Sequence, residues 1–303
     1  PDSKSDVEIL LKVPHTGMYV IEVHTSPINF ESLKAKDTTG LMTVKAAFKL
    51  GQNRITKRIV YDVYKKGTQV IGKFDFPNTK ESLQIWLSPD LIFHSLTIKP
   101  YVPPSIPEEV LHYLPDITPP EDRPRLWVNK ESLPIVKSRL NTAENKDAWD
   151  KVKLVALKPY SFKFDSEHEM FYDEDVERTI EYKAFYYLMT NDEKIGRDAV
   201  HLISNYYSVL EFGNVSYGDI SREIGRALYT GALVYDWCYS LMDESLRAGL
   251  RKHFKRLARD MEIGWPPFFG MESIVNGHGN EAQICRDMLS WSIAVYNEDP
   301  EHY

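Results

Sequence analysis

Asn276, His278, Asn280, Glu281 and Gln283 lie close together in the chain, interleaved with Gly277 and Gly279 and followed at once by an apolar-periodic run. Histidine can take or give a proton near neutral pH, amides can donate to an oxyanion, and a carboxyl group can do either according to its protonation. The two glycines allow positive φ and close approach of the backbone to another molecule. Helix starts gather unpaired N–H groups, where oxyanions are favoured. An acidic sugar is one occupant that would suit such a site. His278 and Glu281 are three residues apart, so on one helical turn they point to the same side and could act on one ligand. The same residues also read as a capped, solvated helix start, since Asn, Gly and Glu are usual there.

Other residues of chemical interest are more scattered. Tyr217, Arg222 and Glu223 precede an apolar helical pattern; Arg222 could bind a sulfate or carboxylate bidentately, or pair with Glu223 or Asp219 at the surface. Trp265, in the run Trp265-Pro266-Pro267-Phe268-Phe269, could stack on a sugar face or pack in a core. Tyr19, Tyr61, Tyr64 and Trp86 could form a carbohydrate platform or fill the interior between strands. No HExxH or CxxC motif is present, and His278 with Glu281 lacks a third nearby ligand, so a metal centre is not expected. Gly-rich phosphate loops and GxSxG elbows are also lacking, and no cofactor is called for.

These groups must be carried by a chain of 303 residues, 43% hydrophobic and 27% charged, which is ordinary for a folded protein of about two domains. Net charge is −7, so long-range attraction to nucleic acid or another polyanion is not supplied by the chain as a whole; a polyanion site would have to be a local basic cleft. No apolar run is long enough to span a membrane, and the start Pro1-Asp2-Ser3-Lys4 has no signal-peptide pattern, as expected of a mature or trimmed chain. Cys238 and Cys285 both sit in apolar helical patterns and are expected to be buried small hydrophobes rather than a disulfide.

Short β-branched and aromatic runs at 7–13, 19–23, 41–46, 58–64, 70–74, 82–87 and 93–98, separated by turn residues, predict a small antiparallel β-sandwich over residues 1–100. Residues 101–125 are rich in proline and predict a stiff linker. From 126 to 303 the period becomes helical, with helices expected at 132–140, 143–157, 176–189, 194–210, 220–239, 245–263 and 280–296. The turns at Thr190-Asn191-Asp192-Glu193 and Met242-Asp243-Glu244-Ser245 offer short polar caps. The expected class is α+β and multidomain, with the helices stacked as antiparallel hairpins.

The segment 276–283, the run Ala282-Gln283-Ile284-Cys285-Arg286-Asp287-Met288-Leu289-Ser290-Trp291 and the close Tyr296-Asn297-Glu298-Asp299-Pro300-Glu301 together resemble the heparinase II/III-like polysaccharide lyases. Arg123-Pro124-Arg125-Leu126-Trp127-Val128 looks like the entry segment of their helical domain, and Ala232-Leu233-Val234-Tyr235-Asp236-Trp237-Cys238-Tyr239 like an inner helix. The likeness covers about residues 123–303 and implies an incomplete α/α toroid whose inner loops line a saccharide canyon. It implies β-elimination on a uronic acid: the C5 proton leaves and the 4-linked sugar departs. The uronate carboxylate must be neutralised, a base must take the proton, and an acid must protonate the leaving oxygen. His278 would neutralise the carboxylate or abstract the proton. Glu281 would be a protonated carboxyl bonded to substrate, or would orient His278, and Asn276 or Asn280 would donate an amide.

In that family the acid tyrosine lies in the hairpin after the histidine segment, followed by the rest of the toroid and a C-terminal β domain. None of Tyr182, Tyr186, Tyr187 or Tyr296 fits that order. The resemblance therefore implies partners for these residues: an acidic polysaccharide, and the remainder of the toroid and β domain in the same or a separate chain. Residues 1–303 alone would then be inactive. It also implies a periplasmic or secreted setting. Two other classes fit the same residues: an α/α-toroid glycoside hydrolase using Glu281 with Glu223 or Asp219, and a non-catalytic glycan-binding protein.

Overall fold

The computed structural model describes residues 3–36, 43–51, 53–60, 68–102, 108, 112–161, 172–210, 220–262 and 281–303. It is a mixed α+β chain. The strands are β1 (Val7–Lys12), β2 (Gly17–Pro27), β3 (Thr43–Leu50), β4 (Asn53–Val60), β5 (Thr68–Phe76), β6 (Lys80–Leu87) and β7 (Leu91–Pro100). They form two antiparallel sheets, one in the order β1-β6-β3-β4 and one in the order β5-β2-β7. Along β2 the buried positions are Tyr19, Ile21, Val23 and Thr25, the period of two that places alternate side chains on one face. Phe48 of β3, Phe74 of β5 and Ile85 of β6 join them, so both sheets contribute to one buried cluster.

Two details differ from the sequence pattern. A short helix, α1 (Phe30–Lys36), follows β2 where none was expected. The strand expected at 58–64 begins earlier, because the β3–β4 hairpin turns through Gly51 at φ 54° and pairs Leu50 with Asn53. Residues 61–64 lie outside the described residues.

The remaining helices are α2 (Leu133–Arg139), α3 (Lys146–Ala156), α4 (Glu174–Thr190), α5 (Glu193–Val209), α6 (Ile220–Trp237), α7 (Glu244–Glu262) and α8 (Glu281–Val295). Their ends follow the capping signals in the sequence. Asn191 closes α4 in the left-handed region at φ 60°, and Asp192 accepts from the Lys194 and Ile195 amides at the start of α5. Asp243 accepts from Leu246 N at 2.8 Å at the start of α7. Buried Lys183 of α4 donates to Ala156 O at 2.8 Å, satisfying a carbonyl at the end of α3.

Helix α6 is the centre of this half. Ile224, Ala227, Leu228, Leu233 and Val234 are wholly buried, and α4, α7 and α8 all pack on it. The helical cluster and the strand cluster share no residue. Among the described residues no helix is long and apolar enough to cross a membrane.

One charged residue fastens the chain entering the helices. Asp236 of α6 is 1% exposed and accepts from Arg123 Nη1 at 3.0 Å, Arg125 N at 2.7 Å and Leu126 N at 2.9 Å. Arg123 also donates to Ala294 O at 2.8 Å, and Arg125 to Ile293 O at 3.2 Å, carbonyls in the last turn of α8. The Arg123 guanidinium lies 4.1 Å from the centre of the Tyr239 ring. Both arginines come from the proline-rich segment, so its end is part of the helical packing. Cys238 is buried as expected, but Cys285 is exposed and both are free. The buried stripe of α8 runs Ile284, Asp287, Trp291, Ala294, and Cys285 sits off that stripe.

Asp236→Ala strands a nearly buried guanidinium and two backbone donors, and is expected to cost about 3–5 kcal/mol in urea unfolding. In a double-mutant cycle the pair Arg123→Ala and Asp236→Ala should lose clearly less than the sum of the single losses; strict additivity would show that the pair is not coupled.

Candidate functional site

Of the residues singled out in the sequence, Tyr217, Trp265, Asn276, His278 and Asn280 lie outside the described residues, as do Tyr61, Tyr64 and Asp219. Glu281 is the first residue of α8. Arg222 is exposed on the first turn of α6. Tyr19 is a core residue at 1% exposure and so joins no sugar platform on the strands, while the Trp86 indole donates to Ser3 O at 2.8 Å and is half-buried. Among the described residues no group of three or more His, Cys, Asp or Glu side chains could hold a metal ion.

The first two turns of α8, which begins directly after the Asn276–Asn280 stretch, pack against α6 in a polar setting. Gly225 leaves room for the Asp287 carboxyl between the helices: a Cβ there would meet Asp287 Oδ2 at 2.9 Å and push that side chain aside. Asp287 is fully buried, yet its Oδ2 has no hydrogen-bond partner among the described residues. Its Oδ1 accepts from Arg286 Nε at 2.8 Å and also from Nη2. Burial pushes the Asp287 carboxyl above its usual range, against the pull of Arg286.

Tyr229 of α6 is the hub. Its buried ring has the Arg286 guanidinium 4.4 Å from its centre and that of Arg226 5.6 Å away. Its hydroxyl accepts from the Trp127 indole N–H at 2.5 Å. The two arginine side chains are 48% and 29% exposed, so both reach solvent. Two guanidinium groups around one ring would repel each other if each were not also paired; Arg226 donates to Glu181 Oε1 at 3.2 Å and Arg286 to Asp287.

Beneath Arg226 lies a pair of carboxyl groups one helical turn apart on α4, Glu177 and Glu181. Thr230 Oγ1 is 2.7 Å from Glu181 Oε1 and 3.4 Å from Glu177 Oε2. A hydroxyl has one proton, and the shorter distance gives it to Glu181. Glu177 Oε2 is the more distant acceptor, and burial first, with the neighbouring Glu181 charge second, pushes the Glu177 carboxyl well above the usual range. Its Oε1 is buried with no partner among the described residues. The chain of contacts runs from the Glu177 carboxyl through Thr230 to Glu181 and on to Arg226. It orients Arg226, so that each of the two guanidinium groups faces one carboxyl, Arg226 that of Glu181 and Arg286 that of Asp287.

Trp127 completes the group from the strap pinned by Asp236. It has φ 66°, a left-handed conformation that a bulky residue adopts at a cost of about 1–3 kcal/mol. Sequence reading missed Trp127, Glu177, Glu181, Arg226, Tyr229, Thr230 and Asp287 as a group. The signal was present in part: Glu177, Glu181 and Asp287 occupy positions that helical periodicity assigns to an apolar face. Their meeting across three helices is not written in any local spacing. No family model matches this chain, and no curated protein matches it.

A carboxyl whose folded pKa is raised favours the fold fully below its unfolded pKa near 4.5, and that contribution is lost as pH rises towards the folded value. Glu177→Gln removes this loss and keeps the side-chain shape. The variant should therefore gain stability over the parent as pH rises from 4.5 to 8, measured by urea midpoints. Parallel profiles across that range would mean that Glu177 ionises in the folded protein as it does unfolded.

Proposed function

We propose that this chain belongs to a polysaccharide lyase that binds uronic-acid glycans and cleaves them by β-elimination. What supports the reading most is the pair of solvent-reaching arginines on the Tyr229 ring, Arg226 of α6 and Arg286 in the second turn of α8, the helix that directly follows Asn276-Gly277-His278-Gly279-Asn280. Carboxylates and sulfates are what guanidinium forks bind best, and an arginine fixed by an aromatic ring and a carboxylate loses little freedom on binding. In this reading Arg226 and Arg286 hold anionic groups of the glycan. His278 neutralises the reacting uronate or takes its C5 proton, Glu281 supports it, and Asn276 or Asn280 donates to the developing oxyanion. Arg222, Tyr217 and Trp265 extend the binding surface. The acid tyrosine is taken to come from outside residues 1–303.

The same reading takes the two sheets, with their shared buried cluster, as the layers of a β-sandwich, and the helices around α6 as part of an α/α toroid. It sets residues 1–100 and 126–303 as two domains joined through 101–125, acting in the periplasm or outside the cell.

The test is ultraviolet absorbance of the unsaturated product during incubation of the complete polypeptide with heparin, heparan sulfate, alginate and chondroitin chains. Absorbance should rise with one substrate, vanish in His278→Ala, and fall at least tenfold in Arg286→Ala through a raised KM. Reducing sugar released without absorbance would replace the lyase by a hydrolase. Neither signal, with glycan still bound, would leave a binding protein.

A further inference from the structure

We propose that Trp127 is an aromatic platform on which a pyranose ring of the acidic glycan stacks, beside the Arg226–Arg286 pair. This rests on the glycan-binding reading above and adds to it a residue that sets how the sugar lies.

Three observations carry it. The first is exposure: Trp127 is 66% exposed, although it sits at the edge of a core rich in buried aromatic rings. Solvent-exposed tryptophan costs a folded protein apolar burial that a small or polar residue would not forgo. The second is fixation. The indole N–H donates to the Tyr229 hydroxyl, and the ring lies edge-on to Trp237 at 5.4 Å and tilted against Phe185 at 6.2 Å. The backbone on either side is held as well, because Arg125 N and Leu126 N donate to Asp236 and Leu126 O accepts from Trp237 Nε1 at 3.1 Å. A ring held on its N–H edge and by its backbone, yet open to solvent, is pre-organised, so stacking on it costs little ordering. The third is company. Through Tyr229, whose ring centre is 6.5 Å away, Trp127 adjoins both guanidinium groups. Sugar rings present apolar C–H faces and polar edges. An aromatic face with cationic forks beside it suits a pyranose that carries a carboxylate or sulfate on its rim.

The positive φ of Trp127 makes the test clean. Glycine takes that conformation without strain, so Trp127→Gly removes the ring and leaves the strap in place, while Trp127→Phe keeps an aromatic face and loses the indole N–H. Binding of heparin and alginate tetrasaccharides, with cellotetraose as the neutral control, would be followed by calorimetry on the complete polypeptide. Trp127→Gly should bind the acidic tetrasaccharide about tenfold more weakly than the parent, with Trp127→Phe in between. Ligand should also protect the parent's fluorescence from acrylamide, and the Trp127→Phe variant should lose the share of that protection that Trp127 contributes. Unchanged affinity in Trp127→Gly, with weakened binding in Arg226→Ala and Arg286→Ala, would overturn the platform and keep the arginine site. A parent that binds none of the acidic tetrasaccharides would overturn the glycan-binding reading and this inference with it.

Discussion

The carboxylate of Asp236 accepts three hydrogen bonds in the interior of the helical half, from one guanidinium and two successive backbone amides. A charge so buried is tolerated only when its lone pairs are filled, and each of these donors comes from the strap that leads into the helices. The interaction does more than satisfy Asp236. It fixes Arg123 and Arg125 over the carbonyl end of α8, and it sets the backbone that presents Trp127. Helix α6, the strap and the end of α8 therefore hold one another at a single point.

At the other end of the same helix pair the packing is polar for a different reason. Gly225 leaves room for the Asp287 carboxyl between α8 and α6, where Asp287, Arg286, Tyr229 and Arg226 gather. Burying Glu177, Glu181 and Asp287 lowers stability compared with an apolar core of the same volume. A fold that keeps such groups, with two of their oxygens unpartnered among the described residues, carries a cost that packing alone does not explain. What the arrangement yields is a pair of oriented arginines that reach solvent on an acidic chain.

The two polar systems lie along one helix. From Arg226 through Tyr229 and Thr230 to Asp236, α6 presents in turn a cation, an aromatic hub, a hydroxyl relay and a buried anchor. Trp127 links them, pinned at its backbone by the Asp236 system and at its indole by Tyr229. Movement of the strap would thus be felt at the arginines, and the geometry of the patch depends on a carboxylate several turns away from it.

Local sequence determined a good deal. The period of two along β2, the caps at Asp192 and Asp243 and the helical period after residue 126 were all legible, because each depends on neighbours within one or two turns. The segment 276–281 stood out by composition for the same reason. The early start of β4 and the exposure of Cys285 were not legible, since pairing register and the direction of a helix's buried stripe are set by partners distant in the chain. The polar cluster belongs to tertiary structure entirely. Glu177, Arg226 and Asp287 are each ordinary helix residues until α4, α6 and α8 bring them together. Only then do burial and mutual charge push the Glu177 carboxyl above its usual range while two arginines still reach solvent.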